Sequence, residues 1–151
     1  MKKIFTLLVF TTLVSCNLNN SKQEAVELST VSASDGVYNI ENETSYITWT
    51  GREVSTSYHY GTINFASGQF ELTGGLISTG EFIVDMSTIK NDDLPTDFAK
   101  NRLETHLKSD DFFSVESYPT AKISILDSEI ISGSKWLVSG ELTIKSYTHP
   151  I

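Results

Sequence analysis

Residues 135–145 read KWLVSGELTIK, and every second residue from position 136 is apolar or glycine. That series is Trp136, Val138, Gly140, Leu142 and Ile144. The residues between them are Leu137, Ser139, Glu141, Thr143 and Lys145. Successive side chains of a β-strand point to opposite faces, so this period of two predicts a strand that buries one of its faces.

The same alternation returns in SYITWTG (45–51), GTINFASGQFELTGG (61–75), GEFIVDMSTI (80–89) and TAKISIL (120–126). The large residues on the apolar faces of the first three stretches include Ile47, Trp49, Ile63, Phe65, Phe70, Phe82 and Val84. Glycines and Ser-Gly pairs between the stretches are turn and bulge signals. Many short strands with one apolar face predict an antiparallel sheet, which curls into a sandwich or a barrel to hide its edges.

One segment has helical spacing instead. In DLPTDFAKNRLETHLKSDDFF (93–113), the apolar stripe consists of Phe98, Ala99, Leu103, His106 and Leu107. Thr96 or Asp97 can cap its start, so we predict a short amphipathic helix over residues 97–109. We expect this helix to lie across the mouth of a barrel with its apolar side down, and Phe112 and Phe113 to continue its apolar surface over the rim. One of the two rings would close the apolar cavity, and the other would seal the junction between helix and strand.

The sequence begins MKKIFTLLVFTTLVSC, which resembles a bacterial lipoprotein signal. Its apolar run, residues 4–14, is too short to span a bilayer and suits a signal-peptide core. We therefore predict a signal peptide over residues 1–15, cleavage before Cys16 and acylation of that cysteine. The alternative is an ordinary secretory signal followed by a chance cysteine. Cys16 is the only cysteine, which excludes an intrachain disulfide.

Residues 16–36 are polar after the cysteine and contain no aromatic residue, so we predict a flexible tether. Asn17 follows the cysteine, and by the enterobacterial sorting rule this residue favours the outer membrane. We therefore expect a lipoprotein of the cell envelope that faces the periplasm or the cell surface. The net charge of −8 argues against nucleic acid as a partner. Residues 37–151 are enough for one domain with one core.

Five segments of this domain resemble, in order and spacing, the YceI-like family of bacterial lipid- and polyisoprenoid-binding proteins. They read ITWTGREV, HYGTINFASG, GEFIVDMSTIKNDDL, HLKSDDFFSVESYPTAKISI and GELTIKSYTHPI. The resemblance implies an all-β fold: an extended, lipocalin-like antiparallel barrel with one short helix and a long apolar interior. Ser146 stands where the family often has glycine. Because the family usually continues for several strands after the THP segment, we expect the barrel to lack its C-terminal strands.

The role that the resemblance implies is to bind, sequester or carry an isoprenoid-type lipid, such as a polyprenyl lipid or a quinone, without catalysis. The candidates for lining the ligand are Ile47, Trp49, Ile63, Phe65, Phe70, Phe82, Val84, Leu103, His106, Leu107, Phe112, Phe113, Trp136 and Val138. The expected partners are this lipid and, through Cys16, the membrane. We expect neither a cofactor nor a metal, because the three histidines lack metal-ligand spacing and no cysteine assists them.

Two alternatives stay open at this point. His59 and His106 either meet at the barrel mouth and contact a polar head group, or are ordinary hydrogen-bonded or exposed histidines. The aromatic residues on the apolar faces would also suit a solid core. The chain would then be an envelope stress-response or interaction module that holds no ligand.

Overall fold

The computed structural model describes residues 33–52, 57–132 and 135–151. The predicted signal peptide, Cys16 and most of the predicted tether lie outside these residues. The strands are β1 (Gly36–Asn39), β2 (Tyr46–Arg52), β3 (Tyr58–Thr73), β4 (Leu76–Asp85), β5 (Lys90–Asn91), β6 (Thr120–Ser132), β7 (Lys135–Ile144) and β8 (Tyr147–Pro150). A 3-10 turn, Met86–Thr88, follows β4, and the helix α1 (Asp97–Lys108) lies between β5 and β6.

The long strand β3 organises one antiparallel sheet. Near its start, Gly61 has Trp49 of β2 on one side and Asn91 of β5 on the other. Near its end, Phe70 lies between Tyr38 of β1 and Gly80 of β4. From β4 the sheet continues through β6 and β7 to β8, and each of these pairings is antiparallel.

The antiparallel all-β fold with one short helix is therefore confirmed, but the sheet is open. Among the described strands, β8 pairs with β7 and with no other. Ile151 and Gly140 exchange both backbone hydrogen bonds, so the next residue inward, Pro150, lies at a position that faces away from β7. Proline has no N–H to donate, which weakens this edge as a template for a further strand.

The alternation predicted in β7 holds in the pairing. Phe82, Ile123, Leu142 and His149 form one row across β4, β6, β7 and β8, because directly opposed residues share a face. Phe65, Val84 and Ala121 form the neighbouring row. We call the face that carries these two rows the inner face of the sheet.

The core on the inner face is small. Its buried cluster is Val84, Met86, Ile89, Val115 and Ala121. The partly buried residues that pack against it are Ile47, Trp49, Ile63, Phe65, Leu107, Phe113, Ile123 and Ile144. Most of the large side chains on the inner face therefore keep part of their surface uncovered.

The helix α1 begins as predicted and ends one residue earlier than expected, at Lys108. The Thr96 hydroxyl caps it by accepting the backbone N–H of Ala99 at 3.2 Å. The expectation that the whole apolar stripe faces the sheet is wrong. No residue of α1 is buried, and Phe98 is 79% exposed. Among the residues of α1, only Leu107, in the last turn, packs against the core.

Candidate functional site

An apolar cleft of about 290 Å³ lies where the turn after α1 meets the β7–β8 hairpin. Its lining residues are Phe112, Phe113, Leu142, Ile144, Lys145, Tyr147 and His149. Leu142 and His149 belong to the inner-face row, and Tyr147 pairs with Ile144 at the end of the hairpin. The cleft is thus the continuation of the inner face at the helix end of the molecule.

The backbone of the turn explains why two adjacent phenylalanines reach the same cleft. Leu107 O accepts the N–H of Phe113 at 3.1 Å, and Ser109 O accepts the N–H of Phe112 at 3.1 Å. Lys108 O accepts the N–H of Val115 at 2.9 Å. In an extended strand the two rings would point to opposite faces, but these bonds curl the chain back on the helix end.

The two rings differ in burial. Phe113 packs against the core cluster, whereas Phe112 is 49% exposed. Their centroids are 6.2 Å apart in a tilted arrangement, and the His106 ring meets Phe112 edge-on at 5.1 Å. Such contacts hold aromatic rings in a defined geometry. The ammonium group of Lys145 donates to Phe112 O at 2.6 Å, which ties the turn to the hairpin.

A second cleft, of about 500 Å³, lies on the other side of α1. Its lining residues are His59, Leu94, Phe98, Ala99, Arg102, Leu103 and His106. The exposed side of the helix stripe therefore faces this more polar cleft, and His59 and His106 both line it.

Asp93 fixes the wall of the second cleft. One carboxylate oxygen accepts the N–H of Tyr60 at 2.9 Å and also a bond from the Asn91 side-chain amide. The other lies 2.8 Å from Nδ1 of His59. Burial acts to raise the pKa of Asp93, but these three hydrogen bonds and the charge of His59 outweigh it and lower the pKa to about 2. Asp93 is therefore an ionised structural anchor.

Asn91 and Glu104 join this wall to the helix. The Asn91 N–H donates to the Glu104 carboxylate at 2.8 Å, and the N–H of Leu94 donates to the Asn91 side-chain oxygen at 3.0 Å. Asn91 is almost fully buried, so these bonds satisfy polar groups that water cannot reach. They hold α1 against β5, while its apolar side chains stay largely uncovered.

The segments that carry this site lie within residues 38–151, which match the model of the YceI-like domain. The chain belongs to the YceI-like family. This family is known as a polyisoprenoid-binding fold and is not known as catalytic.

Two curated relatives of this YceI-like chain are UPF0312 proteins. That of Photorhabdus laumondii is 31% identical over 112 residues, which are 74% of this chain and 55% of the relative. That of Shewanella denitrificans is 26% identical over 122 residues, which are 80% of this chain and 61% of the relative. The chain therefore spans little more than half the length of these relatives.

A solved structure that resembles the YceI-like chain is that of a mutant CJ YceI protein with a monobromobimane guest. It is 14% identical, has a TM-score of 0.42, and the alignment covers 79% of this chain and 53% of the other.

The YceI-like fold brings several of the predicted lining residues together. Val84 belongs to the small core, and the residues that pack against it include Ile47, Trp49, Ile63, Phe65, Leu107 and Phe113. The rings of Phe82 and Phe65 pack in a tilted arrangement with 5.8 Å between their centroids. Phe112 and Phe113 both line the apolar cleft. These positions are compatible with the predicted role, which stays a prediction for each residue.

Other predicted lining residues lie elsewhere. Leu103 and His106 line the second cleft, and Phe70 stacks on Tyr38 at 5.3 Å. Trp136 and Val138 are at the opposite end of β7, where the Trp136 indole N–H donates to Gly75 O at 2.9 Å. Alternation identified the correct face of β7, but it does not indicate which end of a strand reaches the cleft.

Sequence reasoning did not select Leu142, Ile144, Lys145, Tyr147 and His149 as lining residues. The signal for Leu142 and Ile144 is present in the sequence, since both belong to the alternating apolar series of residues 136–144. In the part of the chain that the structure describes, no group of three or more His, Cys, Asp or Glu side chains is arranged to hold a metal ion.

Proposed function

We propose that this YceI-like chain binds a long-chain isoprenoid-type lipid in the cell envelope and acts without catalysis. The observation that carries the proposal is the incompletely covered inner face, which continues into the cleft of Phe112, Phe113, Leu142 and Ile144. The family's known polyisoprenoid-binding fold supports the same ligand class.

The binding energy would come from burial of apolar surface. Covering apolar area stabilises a complex by on the order of 25 cal/mol per Å². The aliphatic and aromatic side chains on the inner face supply that area on the protein side, and a branched polyprenyl chain supplies it on the ligand side. Such contacts discriminate little between chain lengths, so the proposed ligand is a class of lipids.

The size of the core also favours a ligand over a solid interior. Among the described residues, only six apolar side chains are buried: Leu72, Val84, Met86, Ile89, Val115 and Ala121. Monomeric proteins rarely leave large contiguous apolar surfaces uncovered without a functional reason.

The envelope location rests on the sequence. Residues 1–15 resemble a lipoprotein signal, and Cys16 is placed for acylation. Acyl chains add about 0.8 kcal/mol of membrane affinity per buried methylene group, so more than one chain would hold the domain stably at a bilayer. None of the described helices is long and apolar enough to cross a membrane.

The test is direct recovery of the ligand. The full chain is purified from membranes and analysed by native mass spectrometry, and an organic extract of the same sample is analysed for prenyl lipids. We expect about one prenyl lipid to be bound per protein chain. We also expect the delipidated protein to bind an added prenylquinone. A folded protein that neither releases a lipid nor takes up the quinone would indicate an interaction module with a filled core.

A further inference from the structure

The end of the molecule opposite the helix exposes a group of large apolar side chains. They are Leu76 at the start of β4 and Ile130, Ile131 and Leu137 in the parts of β6 and β7 next to their hairpin turn. Ile131 is 61% exposed, and Ile130 and Leu137 are each 54% exposed. We call this group the hairpin end.

Next to its turn, the β6–β7 hairpin exposes an apolar side chain on each of its faces. Ile130 pairs with Trp136 and shares its face, whereas Leu137 pairs with Glu129 on the opposite face. A hairpin that only covers a core needs one apolar face. An isoleucine and a leucine that are exposed on opposite faces of the hairpin fit insertion into a medium that surrounds this part of it.

At the hairpin end, hydrogen bonds join the start of β4 and the residue before it to β6 and β7. Besides the bond from Trp136 to Gly75 O, the Ser128 hydroxyl bridges the backbone of Ile77: it donates to Ile77 O at 2.9 Å and accepts from Ile77 N–H at 2.8 Å. Ser128 is buried, so these bonds are shielded from water. These bonds tie the start of β4 to the strands that carry the exposed side chains.

The N-terminal chain joins the domain at this same end. The Asp35 carboxylate accepts the N–H groups of Gly74 and Gly75 at 3.0 and 3.4 Å, and Gly36 pairs with Leu72. Cys16 precedes this junction by fewer than twenty residues. A bilayer that holds Cys16 is therefore reached from the hairpin end with the shortest span of chain.

The charges at the hairpin end do not favour anionic lipid. Asp35 and Glu129 are acidic, and Lys135 is the one basic side chain beside the tip among the described residues. A lysine that extends its ammonium group to the lipid surface and a tryptophan with an apolar body and a polar N–H both suit the interface of a bilayer.

We propose that the hairpin end docks on a bilayer and inserts Ile130, Ile131 and Leu137 into its interface. This proposal rests on the proposed attachment at Cys16. It fixes the orientation of the domain. Leu142 follows Trp136 by six residues of one strand, so the apolar cleft lies about 20 Å farther from the bilayer.

The two tryptophans of the chain allow a direct test, because Trp136 is at the hairpin end and Trp49 is near the helix end. The single cysteine of the full chain is coupled to a maleimide lipid in phosphatidylcholine vesicles with brominated acyl chains, which quench nearby indole fluorescence. Trp49→Phe leaves Trp136 as the reporter, and Trp136→Phe leaves Trp49. We expect strong quenching of Trp136 and little of Trp49.

A second pair of variants keeps the test independent of the tryptophans. In the Trp49→Phe background, Ile131→Ser should lower the equilibrium constant for docking about tenfold, since burial of one isoleucine is worth at least that factor. Phe98→Ser removes an exposed apolar side chain at the helix end and should change nothing. Hydrogen exchange is measured on the lipid-coupled chain without substitutions. It should show added protection at the ends of β6 and β7 next to their hairpin turn and none in α1.

Equal quenching of the two tryptophans on the coupled chain, or no added protection at the tip, would overturn the docking proposal. The chain for coupling is produced in a cell-free system that lacks lipidating enzymes, so the Cys16 thiol is free and the result does not depend on whether cells acylate it. Lipid recovery tests the inner face separately, so a failure of docking and a failure of lipid binding are distinguishable.

Discussion

Phe112 and Phe113 show how one backbone turn assigns different roles to identical neighbours. The bonds from Ser109 O and Leu107 O direct both rings to one cleft, yet only Phe113 reaches the buried cluster. The two positions were expected to divide into one that closes a cavity and one that seals the helix–strand junction. The structure places Phe113 at the junction and Phe112 at the open side of the cleft.

We predict unequal effects of truncating these two side chains. Phe113→Ala should lower the free energy of unfolding by about 3–5 kcal/mol, as for other large-to-small changes in packed sites. Phe112→Ala should cost much less stability, because half of the ring is already exposed, but should weaken prenylquinone binding. Urea unfolding and quinone titration of both variants check this. If the variants have equal stability and bind equally well, the ligand is not in this cleft.

Asp93 shows how a carboxylate can be structural although it borders a cleft. Its side chain is 16% exposed and accepts three hydrogen bonds. The lowered pKa, about 2, means that the unfolded chain binds this proton more readily than the folded chain. The stabilisation is therefore complete above the ordinary pKa, near 4, and is lost as the pH falls through 2.

We predict that Asp93→Asn removes about 2 kcal/mol of stability at pH 6 and very little at pH 2. The free energy of unfolding, measured in urea at several pH values, should fall less steeply between pH 4 and pH 2 in this variant than in the parent. Asp111→Asn is the matched control, since the side chain of Asp111 is 83% exposed. A parallel pH dependence in parent and Asp93→Asn would contradict the assignment.

At the scale of elements, the close approach of β5 and β2 to β3 depends on Gly61. A Cβ atom at this position would overlap the carbonyl of Lys90 and lie 2.9 Å from the Trp49 ring. The absence of a side chain lets the Trp49 indole N–H donate to Lys90 O at 3.1 Å. This arrangement joins three strands next to the network of Asn91 and Asp93.

Gly61→Ala should therefore destabilise the fold by about 3 kcal/mol, the upper end for overpacking of a closed site. Gly51→Ala is the control on the adjoining strand, because a Cβ there would meet only the Trp49 ring at an ordinary contact distance of 3.8 Å. Thermal and urea unfolding of the two variants measure the difference. Equal stability of both would show that the Lys90 backbone yields easily.

At the scale of the whole molecule, the two ends of the sheet carry different surfaces. The helix end has the apolar cleft, and the hairpin end has the junction with the N-terminal chain. If Cys16 is acylated, these features give the domain a membrane-facing end and an end that faces away.

The prediction for the anchor is that Cys16→Ala abolishes incorporation of radioactive palmitate and moves the chain from the membrane fraction to the soluble fraction. Acylation requires the thiol and the new amino terminus at that residue, and the chain has no other cysteine. Cys16→Ser serves as a second variant of similar size. Equal labelling of parent and variant would refute the lipoprotein assignment.

Local patterns in the sequence predicted the five longer strands, the helix and the inner face, whereas the short strands β1, β5 and β8 were not predicted. Side-chain alternation and helical spacing are local properties, so the strand segments around Trp49, Phe65 and Leu142 and the helix beginning at Asp97 were predictable. The resemblance carried by HLKSDDFFSVESYPTAKISI identified the family for the same reason, because its residues lie next to one another in the chain.

Only the tertiary structure decided what lies beside what. Leu142 lines the same cleft as Phe113. Trp136, on the same strand and face, lies about 20 Å away and donates its indole N–H to Gly75 O. The period of two gives both residues the same face, but it does not distinguish positions along the strand. The helix stripe divides between the core and a second cleft because α1 is held at Asn91 by Glu104. The order of the strands is a long-range property as well: among the described strands β8 pairs with β7 alone, and Pro150 leaves the outer edge of β8 short of a donor.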